Sequence, residues 1–183
     1  ILKRPDSYVG SIEEQTSELH WILSEDKMSM IQKPIKFRPA FQKIFDEILV
    51  NAIDQSSEDR LLDTIRVNVN LEAESITVMN TGSGIPIEIH EKEKVYIPEM
   101  IFGNLLTSSN YDDSKKRTVG GRNGYGAKLT NIFSKRFEIE IVDVKTHQKY
   151  IQIWENNMRS LTKPKITKCN NAKGYVKFTF FPD

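Results

Sequence analysis

"FRPAFQKIFDEILVNAIDQSSED", residues 37–59, reads as one amphipathic helix. Phe41, Ile44, Phe45, Ile48, Leu49, Ala52 and Ile53 recur at the i, i+3, i+4 spacing that lines one side of a 3.6-residue spiral. Such a stripe has to pack on something, and the rest of the chain offers a sheet. "TIRVNVNL" (64–71) and "ESITVMN" (74–80) alternate with period two around a short turn, predicting a hairpin that ends at Asn80. "FEIEIVDV" (137–144), "KYIQIWE" (149–155) and "GYVKFTFF" (174–181) predict three more strands. "PEMIFGNLL" (98–106) predicts a short helix, and "AKLTNIFSKR" (127–136) one of about three turns. Helices early and strands late point to a layered α+β domain. The charged "SEDKMS" (24–29) and "KPKITKCNNAKG" (163–174) read as solvated loops.

Composition narrows the classes. The 183 residues are 38% hydrophobic and 28% charged, the mix of an ordinary globular domain. A net charge of +1 leaves no electrostatic footprint for gripping a nucleic-acid backbone over a wide face. The single cysteine, Cys169, cannot form an internal disulfide, which fits a reducing compartment. No run approaches the roughly 18 apolar residues of a membrane span, and metal-ligand spacing is absent. Opening on Ile-Leu without Met and closing on "FTFFPD", the chain reads as a single domain cut from something longer.

Three stretches carry chemistry. Glu47, Asn51 and Asp54 stand at i, i+4 and i+7 beside the apolar stripe. They form either a solvated flank or a site in which Glu polarises a water while Asn helps hold Mg²⁺. "NTGSGIP" (80–86) places Asn80 at a strand end before Gly82 and Gly84, which makes either a plain turn or an amide poised to read an adenine edge. "TVGGRNGYGAKLTNIF" (118–133) holds four glycines, Arg122 and Lys128 ahead of a helix. Its G-x-x-G-x-G spacing fails the dinucleotide fingerprint, and Ala127 before Lys128 with Leu129 after it fails the Walker loop. A structural turn or a generic anion cradle of backbone N–H groups remains. His90, alone among these motifs, reads as a surface or packing residue.

Taken in order, "ILKRPDSYVGSIE" (1–13), "FDEILVNAIDQ" (45–55), "NTGSGIP" and "IFGNLLTSSNYDDSKKRTVGGRNGYGAKLTNIFS" (101–134) closely resemble the N-terminal ATPase domain of eukaryotic type II DNA topoisomerases. The resemblance runs from Ile1 to Asp183, and "LLTSSNYDD" with "GGRNGYGAKL" separates this branch from the gyrase, MutL, heat-shock chaperone and histidine-kinase ATPases. It implies the Bergerat (GHKL) fold: a two-layer α+β sandwich, its mixed sheet covered by helices on one face, with ATP between the layers. It implies Glu47 as general base, Asn51 as Mg²⁺ ligand and Asp54 in the same box. Asn80 matches the adenine contact, with Gly82, Gly84 and Ile85 in the turn beside it. Ser108, Ser109 and Asn110 match ribose and phosphate contacts. Gly121, Arg122, Asn123, Gly124, Tyr125, Gly126, Ala127 and Lys128 match the phosphate-cradling loop, and Thr179 the last strand motif. Gln55 departs from the Asn common in animal enzymes.

The same resemblance implies ATP and Mg²⁺ as ligands, a nuclear location, and a dimer gate that captures DNA in the full-length enzyme, with no membrane partner. An N-terminal strap and a transducer domain that donates a lysine fall outside these residues, so the chain alone is expected to be monomeric and weakly active. The alternatives are a related ATPase with another output, or a nucleotide-binding module without catalysis.

Overall fold

The computed structural model describes residues 1–103, 125–171 and 173–183. It comprises two compact units, Ile1–Phe45 and Asp46–Asp183.

In the first unit a 3₁₀ turn at Pro5–Ser7 precedes two strands, β1 (Gln15–Leu23) and β2 (Met30–Phe37), paired antiparallel. "SEDKMS" is the turn between them, closed by the Ser24 amide on the Ser29 carbonyl at 2.9 Å. Neither strand is legible from alternation. The physical reason is exposure: Leu19, Trp21 and Leu23 are 59%, 63% and 54% exposed, and Met30 to Pro34 of β2 are exposed in succession, so burial imposes no period of two. Helix α1 (Pro39–Glu58) follows, with Pro at its first position, where the missing N–H costs nothing. The Ala40 amide reaches the Ser11 carbonyl at 2.9 Å, and the Arg38 guanidinium the Ile12 carbonyl at 3.3 Å.

Helix α1 matches the predicted span, but its buried stripe is narrower than the pattern. Ala40, Ile44, Ile48 and Ala52 are buried, whereas Phe41 and Ile53 are each 48% exposed. The buried row follows i, i+4 alone, and each fully buried Ile there is worth about 1.5–3 kcal/mol.

The second unit is built on a seven-stranded sheet. The strands are β3 (Ile65–Asn70), β4 (Ser75–Gly82), β5 (Ser134–Asp143), β6 (Gln148–Glu155), β7 (Ser160–Leu161), β8 (Lys165–Lys168) and β9 (Gly174–Pro182). Their order is β3-β4-β9-β5-β6-β7, with β8 also on β6, and every pairing among the described residues is antiparallel. One face carries Ile76, Val78, Asn80, Phe137, Ile139, Ile141, Val176, Phe178 and Phe180, all buried. Helices α2 (Ile97–Gly103) and α3 (Gly126–Ile132) cover that face. Phe102 of α2 meets Phe178 edge-on with ring centroids 5.1 Å apart, a geometry that adds about 0.5–1.5 kcal/mol to the buried area. The opposite face carries the half-buried Thr77, Met79, Glu138, Lys177 and Thr179. This is the expected two-layer α+β arrangement.

Two boundaries differ from the sequence reading. Helix α3 has two turns rather than three, because "SKR" already belongs to β5: Ser134 pairs with Pro182 and Arg136 with Glu155 and Phe181. The Ser134 hydroxyl back-bonds to the Thr130 carbonyl at 2.6 Å as the helix stops. "KPKITKCNNAKG" contains β8, whose alternation is hidden by lysines on an exposed edge, a common way to keep an edge from pairing with other chains.

Buried polar groups knit α2 and α3 to this frame. The Gln152 amide, wholly buried, donates to Glu99 Oε2 at 2.6 Å and to the Thr162 carbonyl at 3.0 Å, and its oxygen accepts from the Tyr150 hydroxyl. Burial pushes that hydroxyl's pKa up, so it stays a donor. Asn131 Nδ2 donates to the Phe102 carbonyl at 3.0 Å, which joins α3 to α2 directly.

Candidate functional site: a carboxylate helix, an amide strand end and a glycine contact

Helical geometry puts Glu47, Asn51 and Asp54 within about 60° of one another around α1, spread over roughly 10 Å of axis. Glu47 and Asp54 are half-buried and Asn51 is exposed, so the stripe borders the buried row without joining it. Helix α3 begins against this stripe. A Cβ on Gly126 would overlap Glu47 Oε2 and lie 3.1 Å from its carboxyl carbon, so the absence of a side chain at Gly126 makes room for the carboxylate. No side chain caps α3 at Tyr125, leaving its leading N–H groups to other acceptors.

Asn80 lies two residues before the end of β4, on the helix-covered face, and is 4% exposed. Its Nδ2 donates to the Thr81 carbonyl at 3.2 Å. The following turn runs tightly over the end of β5: Gly84 has φ +83°, and a Cβ there would collide with the Val142 carbonyl and come within 3.1 Å of Asp143 Cα. Both conditions require glycine. Ile85 beyond it is half-buried.

Thr179 is not brought to this site. It pairs with Thr77, their hydroxyls 3.1 Å apart, on the opposite face of the sheet from Asn80. Strand alternation is the reason: the residue opposite Asn80 is Val176, which is buried on the same face. A sequence reading of the last strand could have found this by counting parity from Phe178 and Phe180. Ser108, Ser109, Asn110, Gly121, Arg122, Asn123 and Gly124 lie outside the described residues. His90 is half-buried, its Nδ1 accepting from the Glu93 amide at 3.3 Å, a local packing role.

Lys128 is wholly buried in α3, beside the buried Ala127. Desolvation pushes its ammonium pKa down to about 8. The unfolded chain keeps that proton to about pH 10.4, so between these values stability rises with pH as the buried charge is relieved. Lys128→Met is therefore expected to raise the urea midpoint near neutral pH, and the gap to the unaltered chain should close as pH climbs toward 10. A gap independent of pH would mean that the buried ammonium is not what the substitution relieves.

No cluster of three or more His, Cys, Asp or Glu that could hold a metal occurs among the described residues. Mg²⁺ accepts one or two protein oxygens completed by ligand phosphates and waters. The exposed amide of Asn51, one turn from Glu47, fits that requirement.

The model of the histidine kinase-, DNA gyrase B- and HSP90-like ATPases matches residues 38–181. The chain belongs to this ATPase family. Over all 183 residues it is 58% identical to DNA topoisomerase 2 of Meyerozyma guilliermondii and 54% identical to that of Arabidopsis thaliana. It spans 13% and 12% of those relatives' lengths. The crystal structure of the ATPase region of Saccharomyces cerevisiae topoisomerase II superposes with a TM-score of 0.97 at 56% identity, covering 100% of this chain and 48% of that one. The ATPase and transducer domains of DNA topoisomerase II from Balamuthia mandrillaris superpose with a TM-score of 0.97 at 46% identity, covering 47% of that chain. The chain is thus homologous to the ATPase region of DNA topoisomerase 2 and has the fold of an ATP-binding ATPase domain.

Proposed function

We propose that this chain is the ATP-hydrolysing part of a type II DNA topoisomerase, acting on DNA in the nucleus as one half of a homodimeric gate. The likeness to the topoisomerase II ATPase region along the whole chain, at 56% identity, carries this reading.

In the reading, Asn80 holds the adenine edge by donating and accepting through its amide, with Gly82, Gly84 and Ile85 shaping the wall beside it. The loop through Gly121, Arg122, Asn123, Gly124, Tyr125, Gly126 and Ala127 wraps the phosphates with backbone N–H groups, and Lys128 adds positive charge behind them. Ser108, Ser109 and Asn110 reach the ribose and phosphates. Asn51 ligates Mg²⁺, with Asp54 in the same stripe, and the ion when bound supplies positive charge to the phosphate oxygens. Glu47 orients the attacking water and takes its proton. Phosphoryl transfer leaves little covalent work to a protein, so positioning and charge complementarity account for most of the rate.

ATP binding in the full-length enzyme then closes two such domains, and hydrolysis reopens them. The chain alone is expected to stay monomeric and to turn over little ATP. Heat denaturation with a saturating non-hydrolysable ATP analogue and Mg²⁺ tests the nucleotide site, because a ligand specific to the folded state raises the midpoint. At a hundredfold excess over Kd the stabilisation is about 2.7 kcal/mol. No shift at saturation would overturn the reading in favour of a scaffold without nucleotide.

A further inference from the structure

We infer that Asp59, just after α1, is a positioning residue for base recognition, holding in place the strand end and turn that follow Asn80. This inference rests on the reading of Asn80 as the base contact. Asp59 lies far from Asn80 in sequence and in none of the motifs, yet its carboxylate is the anchor of the "NTGSG" turn. Oδ2 accepts the Ser83 amide at 2.5 Å, and Oδ1 accepts the Ser83 hydroxyl at 3.2 Å and the Leu61 amide at 3.0 Å. A Cβ on Gly82 would lie 2.6 Å from Oδ2, so the bare Gly82 is what lets the carboxylate approach the backbone. The Asp59 carboxyl sits below the usual carboxylate range, the Ser83 amide being the main cause, which marks the ionised form as the one the turn binds.

The neighbouring contacts make the same link. Thr81 Oγ1 accepts the Asp63 and Thr64 amides at 3.2 and 3.1 Å and donates to Asp63 Oδ1 at 2.9 Å. The Thr81 amide reaches the Thr64 carbonyl at 3.0 Å. On the far side, Gly84 presses on Val142, and Gly174 pairs with Gly82 across β9 and β4. Asn80 itself leans on the Thr81 carbonyl. The amide expected to meet the base is therefore fixed by a strand end whose next three residues are held by the 59–64 segment on one side and the β5 end on the other. Asp59 is the charged member of that clamp and connects it to the helix bearing Glu47.

Loss of a hydrogen bond to a charged group is worth about tenfold or more in an equilibrium. Asp59→Ala should weaken binding of a non-hydrolysable ATP analogue to this chain about tenfold or more while leaving the affinity for inorganic tripolyphosphate unchanged. It should also shrink the preference for the adenine over the guanine analogue. Asp59→Asn, which keeps one acceptor oxygen, and Ser83→Ala, which removes only the hydroxyl contact, should each fall between the unaltered chain and Asp59→Ala. They also keep the test decisive if Asp59→Ala does not fold. Proportional loss of tripolyphosphate and analogue affinity would reduce Asp59 to a structural role and overturn the inference. So would an unchanged base preference in Asp59→Ala, or, should that variant not fold, in both of the others. Failure of the unaltered chain to bind any nucleotide would instead overturn the underlying reading of the site, and this inference with it.

Discussion

Replacing Glu47 with Gln is expected to lower steady-state ATP hydrolysis by the full-length protein about a thousandfold, while the affinity for a non-hydrolysable analogue stays within about threefold. Gln has the size of Glu and keeps an oxygen that can orient a water, but it cannot accept the water's proton. Glu47 stands mid-helix, next to Ile48, which is wholly buried, so the backbone beneath it is among the best-fixed parts of α1. Gln fills the same space at the start of α3, against the bare Gly126. The substitution therefore removes proton transfer while keeping the size and shape of the side chain. Single-turnover hydrolysis beside equilibrium binding of the analogue separates the two effects. Turnover within tenfold of the unaltered protein would place the base elsewhere and leave Glu47 as a packing residue.

The elements that could be read from sequence are those with one face buried and the other wet. Helix α1 announced itself because Ile44, Ile48 and Ala52 recur on a buried row, and β5, β6 and β9 because Phe137, Ile139, Tyr150, Trp154, Val176 and Phe178 alternate into the core. Strands β1 and β2 lack that constraint, being exposed along most of their length, and β8 is an edge strand of four residues among lysines. The carboxylate stripe and Asn80 were legible as candidate chemistry, since helix spacing and strand ends follow from local rules. Asp59 was not, because its partner Ser83 lies 24 residues away and only the closed turn brings them together. Thr179 shows the opposite error: the motif is present, but the sheet turns its side chain to the other face, where Thr77 meets it. The glycines of "TVGGRNGYGAKLTNIF" leave a turn and an anion cradle both open and do not say why Gly126 in particular must be bare. The fold supplies that reason, which is the carboxylate of Glu47.

Gly126→Ala should consequently reproduce much of the loss caused by Glu47→Gln through a different route. The added methyl would overlap Glu47 Oε2, the far end of a flexible side chain, while Glu47 Cβ lies at an ordinary 3.5 Å. The cheapest relief is rotation of the carboxylate out of its place, at about 0.5–1.5 kcal/mol for a strained rotamer, and not displacement of the helix. Alanine also favours the helical backbone over glycine by up to about 1 kcal/mol, so the thermal midpoint of the variant is expected to change by only a few degrees. Hydrolysis, which depends on carboxylate geometry near a water, should fall about a hundredfold, since misplacement of about 1 Å carries a penalty of that size. The two substitutions act on one carboxylate, so the double variant should be no slower than Glu47→Gln alone. Multiplicative losses in the double variant would show that the added methyl acts by disturbing the backbone that holds the phosphates and not through Glu47.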